Sequence, residues 1–180
     1  AAFAQTRQEL GIPPDRTFET KIALGLKMVK RVKAKGVPFD LLACDALYGR
    51  DSQFRADLAA ENVQYAAQVP ADTLVYLSEP RVGIPPKWGQ RGRPRTRLRV
   101  LSGQRPQEVR ALAQHPQTAW QRVQVRLTER GWLTADFAVR RVWTVAAGQR
   151  PRAEWLVMRR NSEGDGSYTL LNAPTDTKQA

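Results

Sequence analysis

Apolar positions follow two rhythms along this chain, and the change from one to the other divides it. Phe18, Ile22, Leu26 and Val29 recur every three or four residues, which predicts an amphipathic helix capped at Thr17 and stopped by Gly36 and Pro38. Residues 1–14 show no such period and read as irregular. Phe39 to Cys44 and Gln64 to Val69 are short apolar runs, and Asp51 to Glu61 between them reads as a helix entered through an Asp or Ser cap. Together they predict a right-handed parallel βαβ unit. After Pro70 the rhythm shortens. A loop punctuated by Pro80, Gly83, Pro85, Pro86, Gly89, Gly92 and Pro94 leads to Val123, Val125 and Leu127, which alternate with Arg122, Gln124 and Arg126 as in a half-buried strand with a basic outer face. Phe137 to Val145, Glu154 to Arg160 and Tyr168 to Asn172 read as further strands, with a loose turn at Asn161 to Ser167. The expected class is α/β in the first third and mainly antiparallel β thereafter, without internal repeats.

Charge sharpens this picture. The 180 residues carry a net charge of +12 with a pI near 10.7, which favours polyanionic partners and nucleic acid above all, a balance shared with ribosomal proteins. Between residues 81 and 110, Arg81, Lys87, Arg91, Arg93, Arg95, Arg97, Arg99, Arg105 and Arg110 face the single acid Glu108. Arg91-Gly92-Arg93-Pro94 matches the core of an AT-hook, which lies in a narrow A·T minor groove, and an ordinary basic turn accounts for the same four residues. Trp88 in this loop is placed to stack on a base, whereas the other tryptophans are expected in the core. The face of the first helix bearing Lys27, Lys30, Arg31, Lys33 and Lys35 suits solvent as well as phosphate.

Other features narrow the class. Cys44 is the only cysteine, so no internal disulfide forms, and its place in an apolar strand makes it a small core residue. His115, before Pro116, reads as an exposed turn residue. No apolar run approaches the roughly 18 residues of a membrane span, and the first residues lack the order of a signal peptide. A cytoplasmic protein without a membrane partner is expected.

The candidate for chemistry is Asp45. It ends the first apolar run and sits in a strand-to-helix turn, where open α/β sheets place their ligands. A carboxylate there either holds a metal or caps the next helix, and spacing alone leaves both open.

A family resemblance bears on that choice. The helix, Gly36-Val37-Pro38-Phe39, the strand ending Asp45-Ala46-Leu47-Tyr48-Gly49, the helix beginning near Phe54-Arg55, and Tyr65 to Thr73 follow one another as in the central part of DDE-class insertion-sequence transposases. Arg91-Gly92-Arg93-Pro94, Arg141-Val142-Trp143-Thr144, Glu154-Trp155-Leu156-Val157 and Leu171-Asn172-Ala173-Pro174-Thr175-Asp176-Thr177 resemble the family in the same order. The resemblance implies a partial RNase H-like core over residues 1–70, a basic β-rich insertion over 71–168 and a return segment over 169–180. It implies that Asp45 is the second of three catalytic carboxylates, with the first Asp upstream and the Glu downstream of the chain.

Through Mg2+ held by those carboxylates, the complete enzyme would cleave transposon ends and transfer strands in double-stranded DNA. Lys87, Arg91, Arg93, Arg95, Arg97 and Arg99 are the expected DNA contacts. As a fragment cut at both ends, the chain is expected to bind DNA without turnover and to self-associate through exposed strand edges. The alternatives are a stand-alone basic nucleic-acid-binding module in which Asp45 is only a cap, and a ribosome-associated structural protein.

Overall fold

Strong helix formers without an apolar period open the chain, and the structure, a computed structural model describing residues 2–13, 15–86, 95–129, 131–161 and 165–174, shows what they do. Residues 1–37 are a unit of their own, and α1 (Ala2–Glu9) stands where irregular chain was expected. Ala, Gln and Glu favour a helix without announcing a buried face. α2 (Lys21–Ala34) starts three residues later than the sequence suggests, because the Thr20 hydroxyl accepts a hydrogen bond from Ala23 N at 3.1 Å and takes the cap from Thr17. Phe18 therefore lies outside the helix, exposed, while Ile22, Leu26 and Val29 are half-buried. The basic face is exposed, with Lys27 paired to Glu19, and Gly36 supplies the left-handed residue (φ +69°) past the helix end.

Residues 38–180 form the second unit, built on a mixed sheet. β1 (Leu42–Cys44) pairs in parallel with β2 (Tyr65–Val69), and α3 (Ala46–Gly49) and α4 (Ser52–Ala60) make the crossover, so the expected βαβ unit is present. Asp51 caps α4, its Oδ1 accepting from Phe54 N at 2.8 Å. β3 (Leu74–Val75) pairs with β6 (Gln107–Glu108), and β4 (Val82–Gly83) with β5 (Arg99–Val100). The helix α5 (Val109–Gln114), too short to show a period, follows. β7 (Gln121–Thr128), β8 (Gly131–Thr144), β9 (Arg152–Arg160) and β10 (Gly166–Leu171) complete an antiparallel run, and the six-stranded order is β1-β2-β10-β9-β8-β7. The core lies on one face, where Val69, Val75, Val109, Leu112, Val142, Leu156, Met158 and Leu170 meet.

Two expectations about burial fail. β7 is not half-buried, since every residue from Gln121 to Leu127 is exposed; alternation gives a strand two faces but does not say whether anything covers either. The tryptophans are not fully buried either: Trp132 is 55% exposed, Trp143 and Trp155 are half-buried, and Trp120, also half-buried, packs against the edge of the core. Polar partners at two of the rings explain part of this. Trp155 donates to Pro174 O at 3.2 Å beneath the Arg141 guanidinium, and Arg160 stacks 4.3 Å above Trp120.

A buried polar cluster fixes the crossover to the sheet. Arg55 in α4 and Glu154 in β9 are 2% and 0% exposed, and Arg55 Nε donates to Glu154 Oε1 at 3.2 Å. The Tyr65 hydroxyl donates to the same oxygen at 2.5 Å, Thr144 donates to Oε2, and Arg152 stands 3.8 Å from it. Burial, reinforced by the Glu154 charge, pushes the Tyr65 phenol far above its ordinary value, so it remains a donor. The other end of the Arg55 fork donates to the Gly49 carbonyl. Gly49 has no room for a side chain, because a Cβ there would stand 1.9 Å from Gln68 O of β2. Asn172 closes the assembly, accepting from Tyr65 N at 2.7 Å and donating to Val63 O at 2.9 Å.

Gly49→Ala should therefore cost at least about 3 kcal/mol, read as a fall in the urea midpoint, because the added carbon meets backbone rather than a side chain that can swing away. Arg55→Met should cost about 3–5 kcal/mol by leaving the Glu154 charge buried without its guanidinium. Adding Glu154→Gln should then restore part of the loss. A double mutant no more stable than Arg55→Met would show that the charge is not what the arginine serves.

Candidate active site

The side chain at the end of β1 is set by the turn that follows it. Asp45 keeps an extended backbone (φ −75°, ψ 179°) while the chain behind it enters the single turn of α3, so its carboxylate faces the free amides of that turn. Oδ1 accepts from Leu47 N at 3.0 Å and from Tyr48 N at 3.4 Å. Oδ2 accepts no hydrogen bond from the described residues, and the residue is exposed. One oxygen of the carboxylate thus orients the group while the other makes no hydrogen bond among the described residues. The cap and metal readings of the sequence are compatible here.

Cys44, one residue earlier, is half-buried on the opposite side of the strand from its neighbours Ala43 and Asp45. Burial first and the adjacent Asp45 carboxylate second raise its thiol above the ordinary value, against a smaller pull from Arg55. It stays a protonated thiol at neutral pH. Tyr48 packs its ring 5.5 Å from that of Phe54, so the Tyr-Gly pair that follows Asp45 is scaffold: the tyrosine grips α4 and the glycine lets the turn touch β2.

A cleft of about 320 Å3 opens nearby, at the carboxyl end of β2, between Arg50 and Ser52 on one side and Asp72, Thr73 and Thr144 on the other. Asp45 is not among its walls. As a metal ligand Asp45 fits in kind, an exposed hard oxygen on a positioned strand end, but no group of three His, Cys, Asp or Glu able to hold an ion occurs among the described residues.

Of the expected DNA contacts, Arg95, Arg97 and Arg99 are exposed and form no ion pair among the described residues. Arg97 and Arg99 are two residues apart at the entrance to β5. Lys87, Arg91 and Arg93, with Trp88 and the Arg-Gly-Arg-Pro segment, lie outside the described residues. His115 is exposed as expected, its Nδ1 accepting from Gln117 N at 3.2 Å. Sequence reasoning missed the buried Arg55–Glu154 pair, which reaches the turn after Asp45 through the Arg55 bond to Gly49. Its signal was present, for Glu154 shares the inward alternation of Leu156 and Met158, and Arg55 lies between Phe54 and Ala56.

No helix of the described residues is long and apolar enough to cross a membrane. No curated protein and no solved structure matches the chain. The family model described as DDE superfamily endonuclease matches residues 1–131. That span takes in α2, both parallel strands, Asp45 and the arginine-rich region, and by it the chain belongs to the DDE superfamily endonucleases.

Proposed function

We propose that this chain is the part of a metal-dependent DNA transposase that carries one catalytic carboxylate, Asp45, beside a basic DNA-contacting region. Endonucleases of the family act on DNA with transposase-type nuclease activity and use divalent metals. The observation that carries the reading is the divided role of Asp45: Oδ1 is fixed by two backbone amides while Oδ2 faces solvent at the carboxyl end of a parallel strand. In this reading β1, α4 and β2 belong to an RNase H-like core, residues 71–168 are its β-rich insertion, and β10 brings the chain back beside β2. Further carboxylates from outside the described residues are required, since Asp45 alone makes no donor set.

Asp45 would hold Mg2+ through Oδ2. When bound, the metal supplies Lewis-acid activation of a water or 3′-hydroxyl and neutralises the leaving oxygen in cleavage and strand transfer at transposon ends. The chain's own contribution is positional. The Oδ1 cap stops the carboxylate from rotating, and the Arg55–Gly49 bond holds the turn against the sheet. Lys87, Arg91, Arg93, Arg95, Arg97 and Arg99 supply cations for phosphates, and the exposure of the last three supports that role.

Asp45→Asn in the complete enzyme should abolish cleavage of a transposon-end duplex and leave its binding intact. Asn caps a helix as well as Asp does, so the folded chain should lose less than about 0.5 kcal/mol, whereas Asp45→Ala should cost about 1 kcal/mol. An Asp45→Asn enzyme that still cuts would refute the assignment. Replacing Arg91, Arg93, Arg95 and Arg97 together by Gln should flatten the dependence of log affinity on log salt by about 0.9 for each lost phosphate contact. An unchanged slope would place the footprint elsewhere on the molecule.

A further inference from the structure

A cavity of about 430 Å3 lies between the end of α5 and the strands β9 and β10, and it shares no residue with the cleft near Asp45. Its walls are of two kinds. Ala113, Trp120 and Tyr168 pack against the core cluster and, with Pro116, give it an apolar lining. Three other groups on the lining residues are donors without an acceptor among the described residues. The first is Arg160. Its Nε donates to Asp136 Oδ2 at 3.1 Å and its guanidinium carbon lies 4.3 Å above the Trp120 ring, so the plane of the fork is fixed from two sides while both Nη atoms stay free. The second is His115. Its Nδ1 accepts from Gln117 N at 3.2 Å, which puts the proton of the neutral ring on Nε2. Thr118 ties that turn to α5, its Oγ1 donating to Leu112 O at 2.6 Å. The third is the hydroxyl of half-buried Tyr168. Charge is counted in the same cluster. Asp136 is shared by Arg122 at 2.8 Å and Arg160, and their hydrogen bonds, that from Arg122 foremost, hold its carboxyl below the ordinary range. Two guanidiniums against one carboxylate leave a single positive charge in excess.

We propose that this cavity binds a small carboxylic acid, its carboxylate taken by the Nη pair of Arg160 with His115 Nε2–H and the Tyr168 hydroxyl, and its apolar body laid against Ala113, Pro116 and the tyrosine ring. The planar fork of an arginine matches the two oxygens of a carboxylate. One surplus positive charge suits a monoanion better than a phosphate dianion, and an apolar wall beside a few convergent donors is the usual make-up of a small-molecule site. The guanidinium is already held by Asp136 and Trp120, so little side-chain freedom is lost when the acid arrives. The site uses neither Asp45 nor the arginines assigned to DNA, and it stands or falls apart from that reading.

The test is calorimetric titration of the 180-residue chain with phenylacetate, phenylacetamide and acetate. Phenylacetate should bind. The amide, which keeps the ring without the charge, and acetate, which keeps the charge without the ring, should each bind at least about tenfold more weakly, the equivalent of one lost interaction. Tyr168→Phe should weaken phenylacetate binding roughly 2- to 12-fold by removing one neutral hydrogen bond, and Arg160→Gln roughly 12- to 150-fold by removing a charged one. Gly166→Ala touches no charge, but its added carbon would stand 3.3 Å from the Tyr168 hydroxyl, so it too should weaken binding. Matching melting curves for the variants confirm that the fold is intact. If phenylacetate does not bind, if the amide or acetate binds as well as it does, or if Tyr168→Phe and Arg160→Gln both bind it like the wild type, the site is refuted. Repeating the titration with a short DNA duplex present should leave the affinity unchanged; a duplex that displaces phenylacetate would assign the cavity to the nucleic-acid face and overturn the inference.

Discussion

Arg55 and Glu154 are 99 residues apart in the chain and both are shut away from water, and the rest of the second unit is arranged around that pair. An ion pair so deep does not hold the fold together by attraction alone, because stripping two charges of water offsets most of what they regain from each other. What the pair supplies is a unique answer. Glu154 has places for Arg55, Tyr65 and Thr144, which come from α4, β2 and β8, and any shift of register in β9 turns the carboxylate away from all three. Apolar neighbours such as Leu156 and Met158 would tolerate more than one packing; this cluster tolerates one.

The same arrangement explains why so short a turn can hold the Asp45 carboxylate steady. α3 is a single helical turn and would fray in isolation. It is pinned at its start by the Asp45 cap and at its end by the Arg55 bond to Gly49, with the backbone of β2 pressed against the glycine. The position of Asp45 thus depends, through Arg55, on a buried carboxylate in a distant strand.

What the chain discloses before it is folded follows from range. The parallel strands, the Asp51 cap and the strands β8 to β10 are written in neighbouring residues and are present, although β1 starts at Leu42 rather than Phe39 and β8 at Gly131 rather than Phe137. Asp45 was visible as a polar residue ending an apolar run, and the glycine after it as part of a family motif, but the reason for Gly49 is the Gln68 carbonyl, which no local pattern contains. Thr20 displaced Thr17 as a cap because two suitable residues lie one turn apart and only the backbone decides between them. Burial was the weakest inference. Alternation identified β7 without revealing that it lies at an edge, and a tryptophan's size suggested a core that Trp132 never enters.

The position of β10 has a consequence in time. It lies between β2 and β9, with antiparallel partners on both sides, so the sheet has a gap at its middle until that strand is present. Asn172, which ties it to Tyr65, is 107 residues further along the chain. On a ribosome that interval lasts roughly 5 to 20 s, far longer than local helices and hairpins need to form. Throughout it, β2 offers the amides and carbonyls of one whole edge to any strand that passes, and the β7–β9 meander offers another. The nascent chain is at its most vulnerable at the line where the finished sheet is most secure, and the turn that holds Asp45 is backed by a complete sheet only once β10 has been made.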